Sequence, residues 1–192
     1  YPCGAAAVSG ALLTFLKQGD HLLMVDSVYE PTRALCDKVL AGYGIETSYY
    51  DPQIGAAIAG LIKPNTRVIF LESPGSLSFE MQDIPAITSV AQQHNIVTVL
   101  DNTWASPILC QPFTLGVDVS IQAATKYIVG HSDVMLGTAT ANEKHWPARQ
   151  LAGLIDPNAP GFKPFFKRVS FYPDMLGDNT IANAIAMPPS LI

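Results

Sequence analysis

Positive charge is scarce in this chain. Eleven lysines and arginines stand against sixteen aspartates and glutamates, a formal charge of −5 over 192 residues, and no basic stripe is present to neutralise a phosphate backbone. Nucleic acid is therefore excluded as a partner. Long apolar runs are missing too: no stretch reaches the 18 or more residues of a membrane-crossing helix, because each is broken by a charge, Gly or Pro. No membrane partner is expected. Cysteine is sparse, with Cys3, Cys36 and Cys110 odd in number and widely spaced, so neither a disulfide framework nor a zinc site is suggested and no metal is expected. Reduced thiols in the cytoplasm are the simplest expectation. What remains is 48% apolar and only 14% charged, a composition able to bury a core.

The first residue is Tyr1, and no basic segment with an apolar signal core precedes the first structured stretch. The chain thus reads as starting inside a larger fold. Up to about Ala141, strand-like apolar runs alternate with helical stretches, a pattern that favours a mostly parallel α/β sheet. The predicted strands are 21–26, 45–49, 67–72, 96–101 and 117–122, and the predicted helices 5–17, 32–41, 54–62 and 84–94. Asp83 is placed to cap the last helix, with Pro85 in its first turn. Strands ending in Asp26, Glu72 and Asp101 put carboxylates where open α/β sheets bind ligands. Seven of the fifteen prolines fall between Pro147 and Ile192, so residues 142–192 read as a Pro-rich tail outside a single 1–141 domain.

The stretch DVSIQAATKYIVGHSD, from Asp118 to Asp133, carries the clearest chemical suggestion. An apolar strand runs into Thr125, then Lys126, then a glycine turn. A lysine there could form a Schiff base with a carbonyl, although a lysine snorkelling over apolar neighbours explains the same residues. Asp101 closes another strand, where it could hold a proton on a heterocyclic nitrogen or simply cap a turn. Gly4 and Ala5 open the first helix and aim backbone amides outward, a possible phosphate cradle or ordinary close packing. Thr125 could add a hydroxyl to the same anion, or reflect strand propensity alone. Tyr29 could stack on an aromatic ring or carry a proton, but a turn-packing Tyr is as good an account. His131, beside Gly130 and Ser132, is given no catalytic role.

Taken as a set, YPCGAAAV, the Tyr29-Glu30-Pro31 turn, PNTRVIFLESPGS, LDNTWASP and DVSIQAATKYIVGHSDVMLGTA resemble the cystathionine-metabolism family of pyridoxal phosphate enzymes, of fold type I. The resemblance spans roughly Tyr1 to Ala141. It implies a large domain built on a seven-stranded-type, mostly parallel sheet with helices on both faces. It also implies that Lys126 carries pyridoxal 5′-phosphate as an imine, that Asp101 pairs with the pyridine nitrogen and that Tyr29 stacks on the ring. Lys126 and Tyr29 are then the catalytic pair, and Gly4, Ala5, Thr103 and Thr125 join the cofactor-binding set. Ala123 and Ser76 stand where the wider family usually has Ser and Asn, a departure that fits its β-lyase branch.

By the same resemblance the substrate is an amino-acid thioether. The reaction is β-elimination of cystathionine to homocysteine, pyruvate and ammonia, as in methionine biosynthesis, by a cytoplasmic homo-oligomer. The family also uses an upstream Tyr and Arg that reach a neighbouring subunit and an Arg from a C-terminal small domain. None of Arg33, Arg67, Arg149 and Arg168 stands at such a position, so the chain is expected to be a truncated product with little lyase activity by itself. Three alternatives stay open: a related γ-lyase or γ-synthase, a non-catalytic fragment, and a nucleotide-binding α/β domain. The last is disfavoured because no Gly-rich fingerprint follows the first strands.

Overall fold

The apolar runs become the strands of one sheet. The structure, a computed structural model, describes residues 1–145, so most of the tail expected from residue 142 lies outside the described residues. Strands β1 (His21–Val25), β2 (Glu46–Tyr50), β3 (Thr66–Glu72), β4 (Val97–Asp101) and β5 (Val119–Gln122) are parallel, and β6 (Thr138–Ala141) runs antiparallel to β5. Their order is β2-β1-β3-β4-β5-β6. The five expected strands are all present, within about two residues at each end. Among the described residues the sheet has six strands. All five residues of β1 are buried, which requires cover on both faces and accounts for its unbroken HLLMV run.

Helix α1 (Gly4–Phe15) buries Ala7, Val8, Ala11 and Leu12, a single face at helical spacing, and packs on β5 and β6. It ends two residues before the expected Lys17, because Leu16 turns extended and enters the core. Helix α3 (Ile84–Gln93) starts as anticipated: Asp83 accepts a hydrogen bond from Ala86 N at 3.1 Å and Pro85 sits in the first turn.

Three segments differ from expectation. The helix expected at 32–41 starts earlier, as α2 (Glu30–Ala34), with Pro31 in its first turn where a missing N–H is harmless. It then widens into a π-helical turn (Leu35–Leu40) and a 3₁₀ turn (Ala41–Tyr43) ending at Gly44, φ 75°. The segment 54–62 is a 3₁₀ turn (Gly55–Leu61) rather than an α-helix. Two glycines in seven residues, with Ile58 the only buried one, leave too little packing to hold an α-helix. Strand β6 and the short helix α4 (Ser106–Leu109) have no clear signal in the sequence, since the alternating residues of TATA are only alanines, too small and too weak in strand propensity to announce a strand.

The strand order places the site. The connections from β1 and from β3 leave in opposite directions, to β2 and to β4. A crevice therefore opens at the carboxyl ends of β1 and β3, where such sheets take ligands.

Candidate active site

The carboxyl edge of the sheet gathers residues that are far apart in the chain. Glu72 closes β3 and Asp101 closes β4, paired in register. Tyr29 follows β1, while Ala123 to Lys126 follow β5. The Lys126 ammonium lies 5.9 Å from the centroid of the Tyr29 ring, within range of a cation–π attraction. Tyr29 is 51% exposed and lines the cleft, so its ring is accessible to a planar ligand.

Asp101 is held by one oxygen. Its Oδ1 accepts from Thr103 N at 3.0 Å and from Thr103 Oγ1 at 2.5 Å. Among the described residues Oδ2 accepts no hydrogen bond, which leaves a carboxylate oxygen open toward the site. Burial raises the acid above its ordinary range, while the two Thr103 bonds and the Lys126 charge oppose that rise. Thr103 has a second duty: its Oγ1 accepts from Ala123 N at 2.8 Å. It thereby ties Asp101 to the loop that carries the lysine.

Glu72 is 4% exposed. Its Oε2 accepts from Tyr29 N at 3.0 Å and its Oε1 from Ser76 Oγ at 2.7 Å. Burial, reinforced by the neighbouring Asp101 carboxylate, pushes it up to about 7. In sequence Glu72 shows only as a strand-end acid, because its partners lie four residues downstream and 43 upstream. Gln82, whose Oε1 accepts from Glu72 N at 3.0 Å and whose Nε2 donates to Tyr50 Oη at 3.1 Å, gave no signal in sequence.

The start of α1 meets the same edge. The first bond closing the helix runs from Ala7 N to Cys3 O at 3.1 Å, so the amides of Gly4, Ala5 and Ala6 have no acceptor within it. No side chain caps this end and its first turn holds no acid. A Cβ on Gly4 would lie 2.6 Å from Ala123 Cβ, and one on Gly137 would lie 2.1 Å from Cys3 O. Both positions therefore need glycine to let backbones meet. Thr125 N donates to Leu136 O at 3.0 Å and Lys126 N to Ala123 O at 3.0 Å, which fixes the lysine loop beside the helix start.

These groups suit a planar, phosphorylated aldehyde. Unpaired amides at a helix N-terminus suit an anion, Asp101 Oδ2 suits a ring N–H, the exposed Tyr29 face suits the ring, and Lys126 offers the amine. Over Tyr29 the crevice widens into an open cleft of about 560 Å³ bounded by Asp26, Arg33, Phe79 and Trp104. Phe79 and Trp104 meet edge to face at 5.4 Å. Among the described residues there is no cluster of three or more metal-ligating side chains, and no helix is long and apolar enough to cross a membrane.

The Cys/Met metabolism PLP-dependent enzyme family matches residues 1–165. The cystathionine beta-lyase MetC of Escherichia coli (strain K12) is 49% identical over 148 residues, covering 76% of this chain and 38% of that protein. The cystathionine beta-lyase of Haemophilus influenzae is 51% identical over 148 residues, covering 76% of this chain and 37% of that protein. The crystal structure of cystathionine gamma-lyase from Lactobacillus plantarum complexed with L-serine superposes with a TM-score of 0.76 at 33% identity, over 80% of this chain and 40% of that one. The chain thus spans well under half the length of the relatives it matches.

Proposed function

The chain belongs to the Cys/Met metabolism PLP-dependent enzyme family, and from that premise we propose that it is the cofactor-holding part of a carbon–sulfur lyase that cleaves cystathionine by β-elimination to homocysteine, pyruvate and ammonia. The observation that carries this proposal is the meeting, at one sheet edge, of Lys126 over the Tyr29 ring with the open oxygen of Asp101. A β-lyase is preferred to a γ-lyase because identity to the former is 49–51% and to the latter 33%. Ala123 and Ser76 lean the same way.

When bound, pyridoxal phosphate supplies an electron sink for the carbanion formed at the substrate's α-carbon. Lys126 serves first as its attachment point and then, once freed, as the base that takes the α-proton at Nζ. Asp101 Oδ2 accepts a hydrogen bond from the ring N–H and keeps that proton in place. Thr103 occupies the other oxygen and so fixes which way the carboxylate faces. The amides of Gly4 and Ala5, with the Thr125 hydroxyl, take the phosphate. Tyr29 covers the ring and excludes water from that face. A cytoplasmic homo-oligomer acting on an amino-acid thioether goes with this proposal, and exposed Leu77, Ile108, Leu109 and Met135 supply apolar surface for assembly.

The test is the complete enzyme containing this segment, loaded with pyridoxal phosphate and given cystathionine. Pyruvate and homocysteine are the expected products. Cysteine with 2-oxobutyrate would mean γ-elimination, and no product from either route would refute a lyase.

A further inference from the structure

Building on the proposed cofactor site, we propose that Glu72 is the positioning residue that sets the Tyr29 ring over that site, by tying the turn after β1 to the loop after β3 where the strand order reverses. The two connections depart in opposite directions and the β1–β3 ladder ends at Met24 and Phe70, so strand pairing does not fix their spacing beyond that point. Glu72 spans the gap with both carboxylate oxygens, one on Tyr29 N at 3.0 Å and the other on Ser76 Oγ at 2.7 Å.

Other features of the crevice agree. Ser27 O accepts from Ser76 N at 2.8 Å, drawing the same two segments together. A Cβ on Gly75 would lie 2.4 Å from Ser27 Oγ, so the approach needs a bare backbone. The Tyr29 side chain, about half exposed, has little packing of its own to fix its height, which leaves the anchoring to its backbone. Glu72 in turn is held from behind, its N–H donating to Gln82 Oε1 at 3.0 Å. Because Glu72 is nearly fully buried, it reaches a ligand only through Tyr29.

A glutamine can keep this tie. Its Oε1 accepts from Tyr29 N and its Nε2 donates to Ser76 Oγ, with the serine as acceptor. Alanine keeps neither bond. The experiment titrates the full 192-residue chain and the variants Glu72→Ala, Glu72→Gln and Ser76→Ala with pyridoxal 5′-phosphate. It reads Kd and the visible circular dichroism of the bound cofactor, with the cofactor-free Tm measured separately.

Glu72→Ala should weaken binding roughly tenfold and flatten the dichroic band, Ser76→Ala should do the same in part, and Glu72→Gln should stay within about threefold of wild type. Unchanged Kd and dichroism in Glu72→Ala and Ser76→Ala overturn the inference, even if Tm falls, since the role would then be structural alone. Glutamine as poor as alanine also overturns it, because charge rather than the tie would matter. Should Glu72→Ala not fold, Ser76→Ala and Glu72→Gln decide by the same criteria. A wild-type chain that binds no cofactor overturns the proposed site and this inference together, whereas wild-type binding with insensitive variants overturns the inference alone.

Discussion

Glu72 and Asp101 end neighbouring parallel strands as register partners, which sets two carboxyl groups side by side at the edge of a buried sheet. Burial raises both above their ordinary range, and at Glu72 the Asp101 carboxylate adds to the rise. For an acid the native state then holds protons that the unfolded chain has released. Stability from Glu72 is fully present below its unfolded value near 4.5 and is lost as pH rises through about 7. The contribution is on the order of 3 kcal/mol, from 1.36 kcal/mol per unit. Urea denaturation of the full chain at pH 5 and pH 8 should show lower stability at pH 8, and Glu72→Gln should flatten the difference. An equal pH slope in that variant would show that Glu72 is not its source.

Borohydride reduction of the chain loaded with pyridoxal phosphate should fix the label on Lys126, the lysine beside the Tyr29 ring. Peptide mapping reads the result. A label on Lys17, Lys38 or Lys63 would remove Lys126 from the site.

Asp101→Asn should leave the fold intact and abolish most turnover in the complete enzyme, because an amide cannot hold the ring nitrogen's proton. Thr103→Val removes the hydroxyl bonded to Asp101 and to Ala123 N, and should lower stability by about 1.5–3 kcal/mol. Chemical denaturation measures the second effect, pyruvate release the first. Wild-type elimination rates in Asp101→Asn would refute the electron-sink role.

Gly4→Leu should weaken cofactor binding more than Thr125→Val. A side chain at Gly4 meets Ala123 Cβ at 2.6 Å and must displace the helix start, whereas the threonine change removes one hydroxyl contact, roughly 1.5–3 kcal/mol if made to a charged group. Equilibrium dialysis with pyridoxal phosphate compares the two. Equal affinity in wild type and Gly4→Leu would mean that the phosphate sits elsewhere.

Far from the site, Asp118 is a control for stability without function. Its carboxylate accepts from Thr98 N at 3.0 Å, Thr98 Oγ1 at 3.1 Å and Asn142 Nδ2 at 2.9 Å, joining β4 and β5 at their amino ends to the residue after β6. Asp118→Ala should cost about 2–4 kcal/mol by leaving buried donors unpaired, with cofactor Kd unchanged in the folded fraction. A drop in affinity instead would mean that the two ends of the sheet are coupled.

Much of this molecule follows from local chemistry. HLLMV, TRVIFLE and VTVLD are apolar enough to be buried on both faces, and this alone implies parallel strands with covered faces. Asp83 and Pro85 mark a helix start by capping rules that need no tertiary partner. The motif strings around Gly4, Tyr29, Asp101 and Lys126 named the candidate residues and the family they resemble. By contrast, TATA became a strand only because β5 offered an edge to pair with, and GAAIAGL lost its α-helix for want of burial.

Local pattern was enough to mark the five parallel strands, the residues that carry useful functional groups and the family they resemble, because apolar runs and motif strings are local. What those groups do to one another follows from the packing of the sheet. The order β2-β1-β3-β4-β5-β6 put the strand reversal beside Tyr29 and set Glu72 against Asp101. It also brought Tyr29 N to Glu72 Oε2 at 3.0 Å and Ala123 N to Thr103 Oγ1 at 2.8 Å. Those relationships depend on distances of about 3 Å between residues far apart in sequence, which packing of the sheet sets and no local pattern encodes.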